Sequence, residues 1–479
     1  MKCSSALLLC VLGFAPALCA RAGAITAIGL PDPKVPGFNF PETEATVLTW
    51  VQQMNSGSPG AAAASTNITT HGWGLWTALT MPTSEVDSGE HLRVFETWYT
   101  PQEIDLPPGA VSLSPLTLTL PPRMRAPLTS FVQFEHGLEP RDRALLAEDS
   151  GGETVFGYVK FDPTAAEHVI KQKLLDVSTL NQLVAGGASQ IPVFPNTAIT
   201  LKSAFQIISA KTLVSGRYYR LNVWSGPPAT PQAYPPYLWP GVVWVDIQGG
   251  GSGSGQIDLE ASTDGGTRTD ATTYPVSSFI NHRLSAYEAA EFNKGQPGSS
   301  VAAGDYAILV AMHVAGREIA RWTWQTFWWS PTPDDPQLPS SQAIAALRPA
   351  QLTGAARHYA MAIGYDMLAP SQPNTGGQNI GAALYTYNPY LEARFGVPQL
   401  PDSLPGNDPS GSPAPNNVGV QCNCMSCHIR ANYNPGNLAT APRYAGARYT
   451  DLNDPQFAGT LQVDLLWSLP EIAGGAQPE

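Results

Sequence analysis

Between residues 421 and 430 the chain reads QCNCMSCHIR, three cysteines and a histidine within ten positions. Three chemistries use such a cluster. Cys424-Met-Ser-Cys427-His428 has the C-x-x-C-H spacing of a c-type haem attachment site. Two cysteines three positions apart on a helical turn each reach one vinyl group, and the following imidazole meets the iron from one side. A zinc site would take Cys422, Cys424, Cys427 and His428 as its ligands. A redox dithiol would use Cys424 and Cys427, but its usual setting is a helix start within a βαβ unit. The spacing favours one covalently held haem, with Cys424 and Cys427 as attachment points and His428 as the proximal iron ligand. Cys422 is left over, either a bystander or a partner in a further bond.

The other cysteines, Cys3, Cys10 and Cys19, lie in a segment with the marks of a secretory signal. Lys2 precedes the apolar run ALLLCVLGFAPAL, and small residues follow in CARAGA, so cleavage is expected after Ala20, Ala22 or Ala24. The apolar run is too short to span a bilayer comfortably, and no later segment is long enough. A periplasmic or secreted protein is expected, with no integral membrane segment in the mature chain. Export would normally bring a disulfide framework, but clustered cysteines cannot staple a large fold. Cofactor attachment gives them a use.

No methionine follows Met425 and no histidine follows His428. The sixth iron position must therefore be closed from upstream or stay open. The upstream candidates are Met312, His313, His358 and Met361, with His71, His282 and Met367 behind them. Each has a structural alternative, because lone histidines and methionines usually serve the core. A six-coordinate iron exchanges electrons with a redox partner protein. An exchangeable position binds a small ligand such as NO, peroxide or a reduced nitrogen compound. The Trp-dense segments HGWGLW and RWTWQTFWW could wall the haem or form an ordinary β-core.

The 479 residues carry 26 basic and 38 acidic side chains, a formal charge of −12. That balance argues against nucleic acid as a partner. Hydrophobic residues make up 43%, enough for a substantial core, while 45 prolines and 44 glycines predict long irregular connections.

The elements that must position the cluster are mainly strands. NTAITLKSAFQII alternates Ile199, Leu201, Phe205 and Ile207 against Thr200, Lys202 and Gln206, and GRYYRLNVW and GVVWVDIQ are further strands. Residues 304–329 predict a hairpin turning around Ala315 to Glu318. Tyr306, Ile308, Val310, Met312 and Val314 should share one face of its first strand. On its second, Trp322, Trp324, Thr326 and Trp328 should face away from Arg321 and Gln325. Helices are expected at 43–54, at 162–175 from an Asp-Pro start, and around 342–368. The expected class is a mainly β fold, an antiparallel sheet with some helices and long Pro/Gly-rich loops, ending in a C-terminal haem-attachment helix turn. The organisation reads as a signal peptide (1–22), a Trp/Pro-rich region (23–149) and an antiparallel β core (150–330). A loop-rich region and linker (331–420) and a haem-attachment segment with tail (421–479) follow.

The motif makes the chain similar to exported mono-haem c-type cytochromes. The order of YVKFDPTAAEHV, VFPNTAITLKSAF, WTWQTFWW and CMSCHIRA also resembles the β-sheet cytochrome c-prime family and its hydroxylamine-oxidising relatives, over residues 150–330 and 420–432. That resemblance implies a haem on a twisted antiparallel sheet and small-ligand or reduced-nitrogen chemistry. It also implies a lysine joined to the haem, for which Lys202 is the candidate. The chain further resembles large bacterial cytochrome-c-type proteins with similar Trp-rich stretches, which implies no activity.

Overall fold

The computed structural model describes residues 25–55, 59–106, 155–229, 234–295, 299–366, 386–393, 424–435, 453 and 455–473. The expected signal segment, Cys422, Met367 and the linker at 401–417 lie outside them. So do the side chains of Ser426 and Cys427.

The architecture is strand-rich with helices around antiparallel sheets. The central sheet is built from β1 (Val155–Phe161), β2 (Ile199–Ile208), β3 (Asn281–Arg283), β4 (Tyr306–Gly316), β5 (Thr323–Trp329) and β6 (Tyr359–Tyr365). Its order is β6-β5-β4-β2-β1, with β3 added beside the first residues of β4, and every pairing is antiparallel. β6 lies beyond the division expected after residue 330, yet it pairs with β5 from Thr323↔Tyr365 to Trp329↔Tyr359. Where a helix was expected near 342–368 there is one α-turn (Gln342–Ala345) and a 3-10 turn (Gly354–His358), followed by this strand. The free edge of β5 supplies the hydrogen-bonding partner that local sequence could not reveal.

Two long helices come from the N-terminal region, α1 (Glu44–Asn55) and α2 (Ala61–Thr80). Helix α2 covers one face of the sheet. Trp76 stacks on Phe327 with ring centroids 4.4 Å apart, and both Trp73 and Trp76 are fully buried. Gly72 allows this approach, and Gly74 lets Phe38 pack on the helix. A Cβ would stand 2.8 Å from Met361 Sδ at Gly72 and 2.0 Å from Phe38 Cδ2 at Gly74. Helix α3 (Pro163–Gln172) opens as its sequence predicts, since Asp162 caps it by accepting from Ala165 N at 2.8 Å. Helix α4 (Ala286–Gly295) and two single turns, α5 (Pro389–Glu392) and α6 (Met425–His428), complete the elements that matter for the site. Among the described residues no helix is long and apolar enough to cross a membrane.

One irregularity decides which side chains reach which face. The β2–β4 register runs Leu309↔Phe205 and then Ala311↔Ala204, which leaves Val310 as an extra residue. Such a bulge moves later side chains to the other face. Tyr306 and Ile308 therefore pair with Ile208 and Gln206, whereas Met312 and Val314 pair with Ser203 and Leu201. The single face expected for Tyr306 through Val314 is split. On β5, Trp324, Thr326 and Trp328 do share a face, but Trp322 sits in the preceding turn with φ +59°.

Replacing Gly74 with alanine forces a methyl group into the Phe38 ring. The expected cost is about 1–3 kcal/mol, read as a lower urea midpoint without a change in slope.

Candidate functional site

The cysteine–histidine segment docks on the sheet face opposite α2. Cys424 starts α6 in a left-handed conformation, φ +62°. His428 N then donates to Cys424 O at 3.0 Å, and Ile429 N to Met425 O at 2.8 Å. One helical turn thus places positions 424 and 427 side by side, with His428 next. Cys424 is buried, its Sγ 3.8 Å from the Thr386 carbonyl. Met425, Ile429 and Ala431 join a hydrophobic cluster with Trp324, Leu461, Val463 and Leu466. A two-residue ladder, Asn432↔Gln462 and Tyr433↔Leu461, ties the segment to residues further along the chain.

His428 Nδ1 lies 2.8 Å from the Leu465 carbonyl oxygen. A carbonyl only accepts, so Nδ1 carries the hydrogen and Nε2 keeps its lone pair. Burial pushes the imidazole down to about 4, with the Leu465 carbonyl opposing and the Lys202 charge assisting. The ring is neutral at pH 7 and able to act as a metal ligand. It lies against Trp324, centroids 4.2 Å apart.

The accepting carbonyl belongs to a tight turn. Leu466 N donates to Val463 O at 3.1 Å, and the two middle residues, Asp464 and Leu465, have φ of +48° and +67°. Aspartate tolerates the left-handed region, but for Leu465 it costs on the order of 1–2 kcal/mol. The Asp464 carboxylate offsets this by accepting from Phe194 N at 3.0 Å and Arg317 Nε at 2.9 Å.

His428 shares a recess of about 460 Å³, open to solvent, with Lys202, His313, Trp324, Leu466 and Trp467. Lys202 and His313 are direct cross-strand partners, and Thr326 follows on β5. The Lys202 stem passes over Gly157, where a Cβ would stand 2.7 Å from Lys202 Cε. His313 Nε2 is 3.4 Å from Glu392 Oε1. Burial pushes His313 down to about 3, helped by the charge of Lys202 and by His428. Burial pushes Glu392 up to about 7, against the Asn388 amide and the Lys202 charge. Asn388 places α5 by donating from Nδ2 to Thr326 Oγ1 and to the Phe327 carbonyl, both at 2.8 Å.

Of the candidate distal groups, the fold brings His313 to this recess. Met312 and Met361 line the opposite face, beside Phe327 and under α2. The Val310 bulge and the sheet register put them there. His358 stacks against Trp329, centroids 6.2 Å apart. His282 pairs with Glu288 of α4 at 3.3 Å. His71 is fully buried between Glu318 at 3.0 Å and the Tyr365 hydroxyl at 2.5 Å. Lys202, the lysine that the resemblance implied, lines the recess. Glu392, Asp464 and Leu465 escaped sequence reasoning. The Asn-Pro start of α5 was a capping signal that would have placed Glu392 on a helical turn, but nothing local marks a Leu465 carbonyl. The zinc reading depends on Cys422 and the Cys427 side chain, which lie outside the described residues. Among the described residues no three His, Cys, Asp or Glu side chains group around a common metal position.

No protein-family model, curated protein or solved structure matches the chain.

Glu392 gives the site a pH signature. Its folded value lies near 7, above the usual 4.5, so its contribution is complete below pH 4.5 and is lost as pH rises through 7. His313 and His428 act oppositely, costing stability as pH falls below 6.5. Their folded values, about 3 and 4, lie below the range compared, so between pH 5 and 8 the difference between wild type and Glu392→Gln reports Glu392. Urea titrations should therefore show the difference moving in favour of Glu392→Gln between pH 5 and 8, by on the order of 1–3 kcal/mol. A difference independent of pH would show that Glu392 does not hold its proton this way.

Proposed function

We propose that the protein is an exported c-type haem protein, with Cys424 and Cys427 as thioether attachment points and His428 as the proximal iron ligand. The observation that carries this reading is the Nδ1–H bond from His428 to the Leu465 carbonyl, which leaves Nε2 as a lone-pair donor beside a recess. Metal-bound histidines usually donate their other N–H to a carbonyl or carboxylate in this way. A neutral imidazole, an apolar wall including Trp324, Leu466 and Trp467, and an adjacent C-x-x-C turn suit a porphyrin tethered at one edge. The antiparallel sheet behind them accords with the resemblance to β-sheet cytochromes. When bound, the haem supplies an iron that exchanges electrons or takes up a small ligand.

The chain's own residues then divide the work. His428 presents Nε2, and Trp324 limits the tilt of its ring. Trp467 and Leu466 exclude water from one side. A protein that passes electrons to a redox partner would need a strong sixth ligand. His313 stands closest to that role among the groups first considered, but its Nε2 is turned to Glu392. Together with Lys202, this makes the far side of the recess polar and able to hold or release a proton. That observation favours a small-molecule ligand, with electron transfer as the companion reading. The signal-like N-terminal segment supports a periplasmic or secreted location.

Produced in a host that matures c-type cytochromes, the protein is expected to carry one haem that survives denaturation. Mass spectrometry of Cys424→Ala and Cys427→Ala should show attachment weakened or lost, and His428→Ala should lose the native absorption spectrum. Free thiols and no tetrapyrrole in the wild type would overturn the reading. CO binding by the reduced native protein would support the small-ligand form. A low-spin spectrum indifferent to CO would support electron transfer.

A further inference from the structure

The turn at Val463–Leu466 carries an uncommon backbone conformation in a buried setting. Positive φ at both middle positions defines a type I′ turn, which favours Asn, Asp or Gly, with glycine commonest at the second. Here that second position is Leu465, at φ +67° and 3% exposed. A buried leucine in a left-handed conformation persists only where its surroundings impose it.

Those surroundings converge on Asp464. Its Oδ2 accepts from Phe194 N at 3.0 Å and from Arg317 Nε at 2.9 Å, and its side chain is 0% exposed. Arg317 is itself fixed, with its backbone N donating to Ala198 O at 2.9 Å and Nη1 donating to Ile319 O at 2.8 Å. It lies in the β4–β5 connection, four residues after His313. A buried ion pair is weak evidence of a stabilising role, since desolvation consumes much of its attraction. This one clamps a strained turn whose product is a carbonyl aimed at His428 Nδ1, 2.8 Å away.

We infer that Asp464, anchored by Arg317, is the positioning residue for His428. It holds Leu465 in the left-handed conformation that presents its carbonyl, and so fixes the tautomer and direction of the imidazole. The inference rests on His428 being the iron ligand. The connection between β4 and β5 then serves both sides of the site: His313 on its incoming strand faces the recess, and Arg317 in the turn steadies the opposite imidazole.

The test uses the mature haem protein and two readouts besides activity, the iron–histidine stretching band of the reduced protein and the midpoint potential. In Asp464→Asn the charged clamp is lost, the Nδ1–H bond loosens and His428 becomes a poorer donor. The band should fall in frequency, and the ferric–ferrous equilibrium should move about tenfold toward ferrous, about 59 mV for one electron. Adding Leu465→Gly to Asp464→Asn should return both readouts toward wild type, because glycine adopts the left-handed conformation without strain. If Asp464→Asn does not fold, Arg317→Lys serves, with the same expected shifts and the same glycine rescue. Haem attached normally with both readouts unchanged would overturn the inference while leaving the haem reading intact, and so would shifts that the glycine fails to reverse. A wild type without haem would overturn both.

Discussion

The bond from His428 Nδ1 to the Leu465 carbonyl is the interaction on which the site depends, although it does not hold the chain in place. A hydrogen bond of this kind contributes on the order of 1 kcal/mol net. The free energy that docks the segment comes from Met425, Ile429, Leu461, Val463 and Leu466, all buried. Each is worth about 1.5–3 kcal/mol when removed from water. The apolar residues decide that the segment binds the sheet. The hydrogen bond decides what the docked segment can do, because it chooses which imidazole nitrogen keeps a lone pair. Stability and chemistry are thus carried by different residues of one short stretch.

The central sheet makes this possible by keeping its two faces distinct. One is dry and crowded, with Phe327, Met312 and Met361 against α2, and close approach secured at Gly72. Five polar residues on this side form an internal network. His71, Glu318, Tyr365, Gln325 and Thr323 are joined by hydrogen bonds within 3.0 Å. This network ties α2 to the sheet and pairs the buried Glu318 carboxylate, while Gln325 Oε1 is buried without a hydrogen-bond partner. The other face carries Lys202, His313 and Trp324 and accepts the C-terminal segment. The extra residue at Val310 sets the parity of β4, and with it the face to which His313 belongs.

Electrostatics in the recess follow from the same division. Desolvation keeps both imidazoles neutral at pH 7, while Glu392 stands near its titration point and Lys202 brings a positive charge. A neutral His428 can donate a lone pair. The His313–Glu392 pair and Lys202 give the other side an adaptable polarity. These groups stand on a sheet and on two capped or hydrogen-bonded turns.

The sequence by itself determined the strand-rich class, the alternation of β2, the start of α3 at Asp162–Pro163 and the C-x-x-C-H spacing. These are local properties: period-two hydrophobicity, a capping side chain next to a proline, and residues within one helical turn. It did not determine the strand at 359–365, because that segment finds its partner on β5 and no local preference foretells an unpaired edge. Nor did it choose among the distal candidates. Met312 and His313 differ by one position, and their faces are set by register and by a bulge formed against β2. Glu392, Asp464 and Leu465 became visible only in three dimensions, since their roles come from partners 79, 147 and 37 positions away along the chain. Motifs can be read where the chemistry lies within a single turn of chain, but long-range packing alone decides what faces it.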